Sequence, residues 1–111
     1  MSRDYKQQLD DILGAIGFIH EYIKDMNFNA FEADRKTQDA VIRNLEVIGE
    51  AARILPNEIK EKTSEIEWRK IIALRNILIH EYFGVNLKIV WDVVQNKLTA
   101  VEHTCRALLN S

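Results

Sequence analysis

Apolar residues recur every three or four positions along almost the whole chain, and little interrupts that spacing. Such a period places apolar side chains on one face of an α-helix, whereas a half-buried strand needs alternation at every second residue. Only four glycines and one proline occur among the 111 residues, so few positions force a helix to end. The spacing predicts an all-α protein, because neither sustained alternation nor the Asn-Gly turn of a hairpin occurs.

Four long helices and one short helix account for most of the pattern. The long ones are predicted at about residues 4–24, 34–55, 67–83 and 86–109, and the short one at about 57–62. Pro56 ends the second long helix, Gly84 suits the end of the third, and Asn86 suits the N-cap of the fourth. Residues 27–31 form a short link or a single helical turn. These elements favour an antiparallel up-and-down four-helix bundle plus one short helix, as a single domain over residues 1–111.

Two small residues are expected to serve packing. Gly49 lies inside the second long helix, where glycine costs about 1 kcal/mol relative to alanine, so its expected role is to let a neighbouring helix approach closely. Cys105 continues the apolar spacing of the last helix and is the only cysteine, so it cannot form an internal disulfide. We expect a small core residue rather than a reactive thiol.

Charge and hydropathy exclude several classes of protein. The chain is 47% hydrophobic and 29% charged, as in ordinary globular proteins, and no apolar run is long enough to cross a membrane. The first eight residues lack the apolar segment of a signal peptide, so we expect a cytoplasmic protein. With a net charge of −2, the chain lacks the broad basic surface of a general nucleic-acid binder. Any contact with nucleic acid must use a local cationic site.

One apolar stretch contains polar side chains that the fold does not require. Residues 75–82 read Arg-Asn-Ile-Leu-Ile-His-Glu-Tyr, with apolar residues on both flanks. Burying a guanidinium or an imidazole costs free energy unless the group has a partner or lines a wet cleft. Arg75, Asn76, His80 and Tyr82 are therefore the candidate functional residues.

The helix that carries these residues is apolar on more than one face. A helix of this kind needs a second cover, and the simplest cover is another copy of the chain related by a two-fold axis. Arg75 and His80 are five residues apart, about 140° around an ideal helix. They converge only if the helix unwinds near His80 or if the cleft combines residues from two protomers. The expected homodimer favours the second solution.

The sequence resembles the HEPN-domain ribonuclease toxins of the HepT type. Residues 75–82 match that family's Arg-x4-His-x-Tyr pattern. Residues 37–45 and 48–52 are similar to the family's second helix, and Trp68-Arg69-x-Ile71 and Ile89-Val90-Trp91 are similar to the blocks on either side of the motif. The similarity covers nearly the whole chain.

The resemblance implies an all-helical homodimer that is the toxin of a toxin–antitoxin pair. It implies a metal-independent endoribonuclease without a cofactor, in which Arg75 and His80 are catalytic residues of a cleft at the dimer interface. Asn76 fills the polar position after the arginine that many relatives share. The antitoxin is implied to be a minimal nucleotidyltransferase that transfers AMP to Tyr82. The stoichiometry of toxin and antitoxin, including any larger hetero-oligomer, stays open.

Histidine and arginine suit RNA cleavage by the neighbouring 2′-hydroxyl. Histidine exchanges protons near neutral pH, and a guanidinium can hold two phosphate oxygens while it stays charged. We expect His80 to act as the base, its two-fold mate to serve as the acid, and Arg75 to hold the scissile phosphate. Asn76 is expected to orient His80 from one helical turn away. AMP on Tyr82 would block phosphate entry by its bulk and negative charge.

Plainer roles stay open for the same residues. Arg75 could be a salt-bridge residue, His80 a buried histidine with satisfied hydrogen bonds, and Tyr82 an interface packing residue. Glu50 is either a partner that supports Arg75 or a helix-packing salt bridge, and the second is favoured. At the level of function, the alternative is a non-catalytic helical module that binds or regulates a nucleotidyltransferase.

The remaining histidines are expected to be surface or partly buried residues, and the tryptophans are expected to pack in the protein. His20 and His103 are not spaced as metal ligands with His80 or with a cysteine, so no metal site is predicted. Trp68 and Trp91 are expected to be core or interface aromatics rather than platforms on which bases stack.

Overall fold

A computed structural model of the chain describes residues 5–80 and 85–111, which form seven α-helices. In chain order they are α1 (Tyr5–Ile23), α2 (Phe28–Glu32), α3 (Arg35–Ile54), α4 (Asn57–Lys62), α5 (Trp68–His80), α6 (Leu87–Asn96) and α7 (Leu98–Leu109). The described residues contain no strand, so the all-α prediction is confirmed. No helix in these two segments is long and apolar enough to span a membrane. The predicted helix end at Gly84 lies outside the described residues.

Polar side chains fix the starts of three helices. Asn27, Asp34 and Asn86 precede α2, α3 and α6, and each accepts a hydrogen bond from a backbone N–H two or three residues further along, at 2.8–3.0 Å. Such N-caps satisfy backbone donors that have no partner inside the helix. The predicted cap at Asn86 is confirmed, and the predicted link at 27–31 is a short helix with its own cap.

The core lies where the predicted apolar stripes meet. Helix α3 packs along α1, with α5 on α3 and α7 on α1. The main residues of the predicted stripes of the first two long helices are buried: Leu9, Ile12, Ile16, Ile19 and Ile23 of α1, and Val41, Leu45, Ile48, Ala52 and Leu55 in or next to α3. Leu13 and Tyr22, which were also expected on the stripe of α1, are half-buried and exposed, respectively. Burial of these side chains is the main favourable contribution to folding.

The prediction of one continuous last helix is wrong, because the chain breaks at Lys97 into α6 and α7. The apolar stripe continues through the break, since Val94 and Leu98 are both buried. Helix α6 packs against α2, where the ring of Trp91 lies 5.1 Å from that of Phe31, whereas α7 packs against α1. The break lets each segment follow its own neighbour, which periodicity alone does not reveal.

The two tryptophans and the cysteine, which were predicted to pack, lie in or against the core. Trp68 is buried, and its indole N–H donates to the hydroxyl of Thr63 at 2.9 Å. Trp91 is half-buried between α6 and α2. Cys105 is fully buried, and burial raises the pKa of its thiol to about 12. A thiol that stays protonated and covered is a poor nucleophile, so its predicted packing role is confirmed.

Candidate functional site

The stem of Arg75 lies directly on the backbone of α3 at Gly49. A Cβ atom at position 49 would collide with the Cβ of Arg75, and would lie 2.8 Å from its Cγ and 3.3 Å from the carbonyl oxygen of Ile71. Any residue with a side chain at this position would push the two helices apart. The predicted role of Gly49, to allow a close helix approach, is confirmed.

The guanidinium of Arg75 is held by two polar side chains. Its Nη2 lies 3.0 Å from Oε2 of Glu50, and its Nη1 donates to Oδ1 of Asn76 at 2.9 Å. The Nε is buried and has no hydrogen-bond partner among the described residues. The side chain keeps 25% of its surface exposed, so the head of Arg75 is fixed in position and still reached by solvent.

Glu50 bridges two arginines. Its Oε1 accepts hydrogen bonds from Nη2 and Nε of Arg53 at 2.6 and 3.0 Å, while Oε2 faces Arg75. The hydrogen bond from Arg53, followed by the positive charges of Arg53 and Arg75, lowers the pKa of Glu50. Glu50 is thus both a partner of Arg75 and a salt bridge between helices. The group Arg53–Glu50–Arg75 carries a net charge of +1 and is called the Arg–Glu–Arg group below.

An open cleft of about 260 Å³ lies between α1, α3 and α5, and Arg75 is one of the residues that line it. Its lining is mixed: polar or charged side chains (Gln8, Asp11, Arg43, Glu46, Glu50, Arg75) and apolar ones (Val47, Ala51, Ile54, Ile79). Ile54 and Ile79 are about half exposed. A cleft with a held cation and an apolar rim is suited to an anionic ligand and to a covering surface.

His80 lies elsewhere on the same helix. Helix α5 is continuous from Trp68 to His80, so the described chain does not unwind before His80 to bring it toward Arg75. His80 is exposed, and the described residues that line the cleft do not include it. The plainer possibility of a buried histidine is wrong. One chain alone does not bring Arg75 and His80 together.

The other predicted site residues are only partly located. Asn76 is exposed and accepts a hydrogen bond from Arg75, while its predicted role of orienting His80 stays a prediction. Tyr82 lies outside the described residues. Within those residues no cluster of His, Cys, Asp and Glu is arranged to hold a metal ion.

Arg53 is the residue that sequence reasoning missed. Its exposed position on α3 looks like an ordinary surface charge, but it lies three residues after Glu50, a spacing at which side chains of a helix meet. The structure shows that the same carboxylate reaches across to α5. Residue spacing within α3 does not predict this contact with another helix.

Comparison with known proteins identifies relatives over most of the chain. Residues 12–108 match the family model described as Ribonuclease HepT-like. A protein of Thermococcus cleftensis named probable ribonuclease HepT is 42% identical over 102 residues, covering 92% of this chain and 93% of the relative. A candidate RNase of Methanocaldococcus jannaschii is 46% identical over 96 residues, which cover 86% of this chain and 79% of the relative. One of Caldanaerobacter subterraneus subsp. tengcongensis is 39% identical over 101 residues, which cover 91% of this chain and 90% of the relative. No solved structure matches the chain.

Substitution of two helical glycines by alanine should change stability in opposite directions. At Gly17 an added Cβ meets no atom within 4 Å, so Gly17→Ala should stabilise the fold by about 0.5–1 kcal/mol through helix propensity. At Gly49 the collision with Arg75 should outweigh that gain, so Gly49→Ala should destabilise by about 1–3 kcal/mol. Urea unfolding followed by circular dichroism measures both. Equal stabilisation by the two substitutions would contradict the close contact of α3 with α5.

Proposed function

Because the chain belongs to the HepT-like ribonuclease family, we propose that it is the toxin of a toxin–antitoxin pair and cleaves RNA at Arg75 and His80. The observation that carries this proposal is the state of Arg75. Its guanidinium is held at 3.0 Å from Glu50 within an open cleft while part of it stays exposed. A guanidinium that is held in position and always charged can bind two oxygens of an RNA phosphate.

The proposal includes a homodimer that forms the active cleft. On the continuous helix α5, Ile77 and Ile79 lie on either side of His80, about 60° and 100° away, and both are more than 40% exposed. Ile77 and His80 share one side of the helix, so a surface that covers Ile77 also covers His80, whereas Ile79 lines the cleft together with Arg75. A second copy in this position would bury apolar surface and carry His80 of one subunit toward Arg75 of the other.

The reaction follows from the two side chains. His80 removes the proton of the 2′-hydroxyl, whose oxygen bonds to the phosphorus while the bond to the 5′-oxygen breaks. His80 of the partner subunit supplies the proton to the leaving oxygen, and Arg75 stabilises the charge that builds on the phosphate oxygens. The products carry a 2′,3′-cyclic phosphate and a 5′-hydroxyl. No metal ion or cofactor takes part in this scheme, and Asn76 orients His80.

Regulation by a nucleotidyltransferase antitoxin completes the proposal. The hydroxyl of Tyr82, two residues after His80, would attack the α-phosphate of ATP and release pyrophosphate. The AMP that remains on the oxygen would add a phosphodiester charge and an adenosine near the site. The added group would compete with RNA for the cation of Arg75 and obstruct the cleft. In this scheme the protein acts in the cytoplasm, where RNA and the antitoxin are present.

Removal of either proposed catalytic group should abolish cleavage. Arg75→Ala and His80→Ala should each lower the rate by about 10²-fold or more, whereas Arg106→Ala and His103→Ala, exposed residues of α7, should cleave as the parent does. The assay uses end-labelled RNA with a chelator present, and should yield 2′,3′-cyclic phosphate ends. Products with only 3′-hydroxyl ends would contradict the mechanism. Full activity of both site variants would show that neither residue is catalytic, and absence of cleavage by the parent would favour the non-catalytic partner role.

Loss of the Tyr82 hydroxyl should prevent neutralisation. With the antitoxin and ATP, the parent and Tyr22→Phe, which changes an exposed tyrosine of α1, should gain AMP by mass spectrometry and lose RNA cleavage. Tyr82→Phe should stay unmodified and active, because it has no oxygen to accept the nucleotide. If Tyr82→Phe were silenced as fully as the parent, another residue would be the modified one.

A further inference from the structure

Two adjacent residues of α3 hold Arg75 at both ends of its side chain. Gly49 leaves room for the stem, since any Cβ there would collide with the Cβ of Arg75. Glu50 then meets the head through the 3.0 Å contact between Oε2 and Nη2. A free arginine side chain samples many rotamers, and holding it before substrate arrives removes that ordering cost from the reaction.

The hydrogen bonds of Arg75 leave part of its fork available. A guanidinium has five N–H groups in a fixed plane. Glu50 contacts Nη2 and Asn76 contacts Nη1, which leaves one further N–H on each terminal nitrogen. Glu50 holds the guanidinium from α3, Asn76 is exposed, and the side chain of Arg75 keeps 25% of its surface exposed, so part of it can still meet a ligand.

A carboxylate beside an arginine cancels the positive charge of the arginine and so weakens the attraction of the arginine for RNA. An isolated Glu–Arg pair has no net charge. Two more carboxylates, those of Asp11 and Glu46, line the same cleft, and Arg43 offsets one of them at 3.9 Å from Glu46. Arg53 counters this effect, because it contacts Oε1 of Glu50 through two nitrogens at 2.6 and 3.0 Å. The Arg–Glu–Arg group therefore keeps a net charge of +1 next to the cleft.

We propose that Glu50 is a positioning residue for the RNA cleavage proposed above, holding Arg75 for the scissile phosphate while Arg53 balances the charge of Glu50. This inference rests on the proposed function and assigns roles to two residues outside the Arg-x4-His-x-Tyr motif. Glu50 acts on the reaction through Arg75 and does not touch RNA. Its loss should therefore affect the rate of the chemical step more than the binding of RNA.

The test compares Glu50→Gln with Glu102→Gln in the 111-residue chain. Glu102 is a matched control, because it is a partly exposed glutamate that pairs with an arginine on α7, at 3.2 Å from Arg106. Cleavage gives kcat and KM, and a 2′-O-methyl RNA, which has no 2′-hydroxyl to attack, gives the binding affinity alone. Glu50→Gln should lower kcat by about 10-fold or more, the cost of a misplaced catalytic group. Its affinity for the 2′-O-methyl RNA should be unchanged or tighter, since a negative charge is removed.

The outcomes separate this inference from the proposed function. If the parent and Glu102→Gln cleave RNA and Glu50→Gln has the same kcat, the positioning role is wrong and the ribonuclease proposal stands. If Glu50→Gln loses binding of the 2′-O-methyl RNA in parallel with kcat, its role is structural and the inference is also wrong. If neither the parent nor Glu102→Gln cleaves RNA, the proposed function fails and this inference fails with it.

A second variant decides the matter if Glu50→Gln does not fold. Arg53→Gln leaves the charge of Glu50 uncompensated beside Arg75, so binding of the 2′-O-methyl RNA should weaken severalfold at low salt. Circular dichroism checks that the variant is folded, and Arg106→Gln, on α7, is the matched control. Binding by Arg53→Gln equal to that of the parent would overturn the inference.

Discussion

The contact between α3 and α5 is the constraint on which the site depends. A glycine at position 49 lets α5 lie against the backbone of α3, and the next residue, Glu50, reaches the guanidinium of Arg75. Close packing against Gly49 and the ion pair with Glu50 therefore both hold the side chain of Arg75 where α3 and α5 cross. Since a packed helix contact tolerates little extra volume, the position of Arg75 is coupled to the core of the bundle rather than to a loop.

The exposed surface of α5 is the second feature on which the proposed site depends. This helix buries only Trp68 and Leu78 among its thirteen residues, and it leaves Ile77 and Ile79 exposed beside His80. Arg75 faces α3, whereas His80 is exposed and does not line the cleft. A second subunit is the proposed solution to both facts, because it covers the isoleucines and supplies the histidine that the cleft of one chain lacks.

The sequence predicted what depends on local spacing, and it missed what depends on packing between helices. The stripes of α1 and α3, the cap at Asn86 and the role of Gly49 follow from periodicity and residue type, and the structure confirms them. The break at Lys97 was not predicted, because α6 and α7 pack on different helices although their apolar stripe is continuous. The contact of Glu50 with Arg75 was left open for a similar reason, since the sequence does not show which face of α3 meets α5.

The central claim, that cleavage needs two copies of the chain, is tested most directly by measuring assembly and activity on the same samples. Ile77→Asp places a charge on the exposed face of α5 beside His80, and Ala107→Asp places one on the exposed surface of α7 as a control. With molar mass from light scattering and cleavage of labelled RNA, the account predicts an inactive monomer for Ile77→Asp and an active dimer for Ala107→Asp. A monomeric Ile77→Asp protein that cleaves RNA at the parent rate would contradict the account.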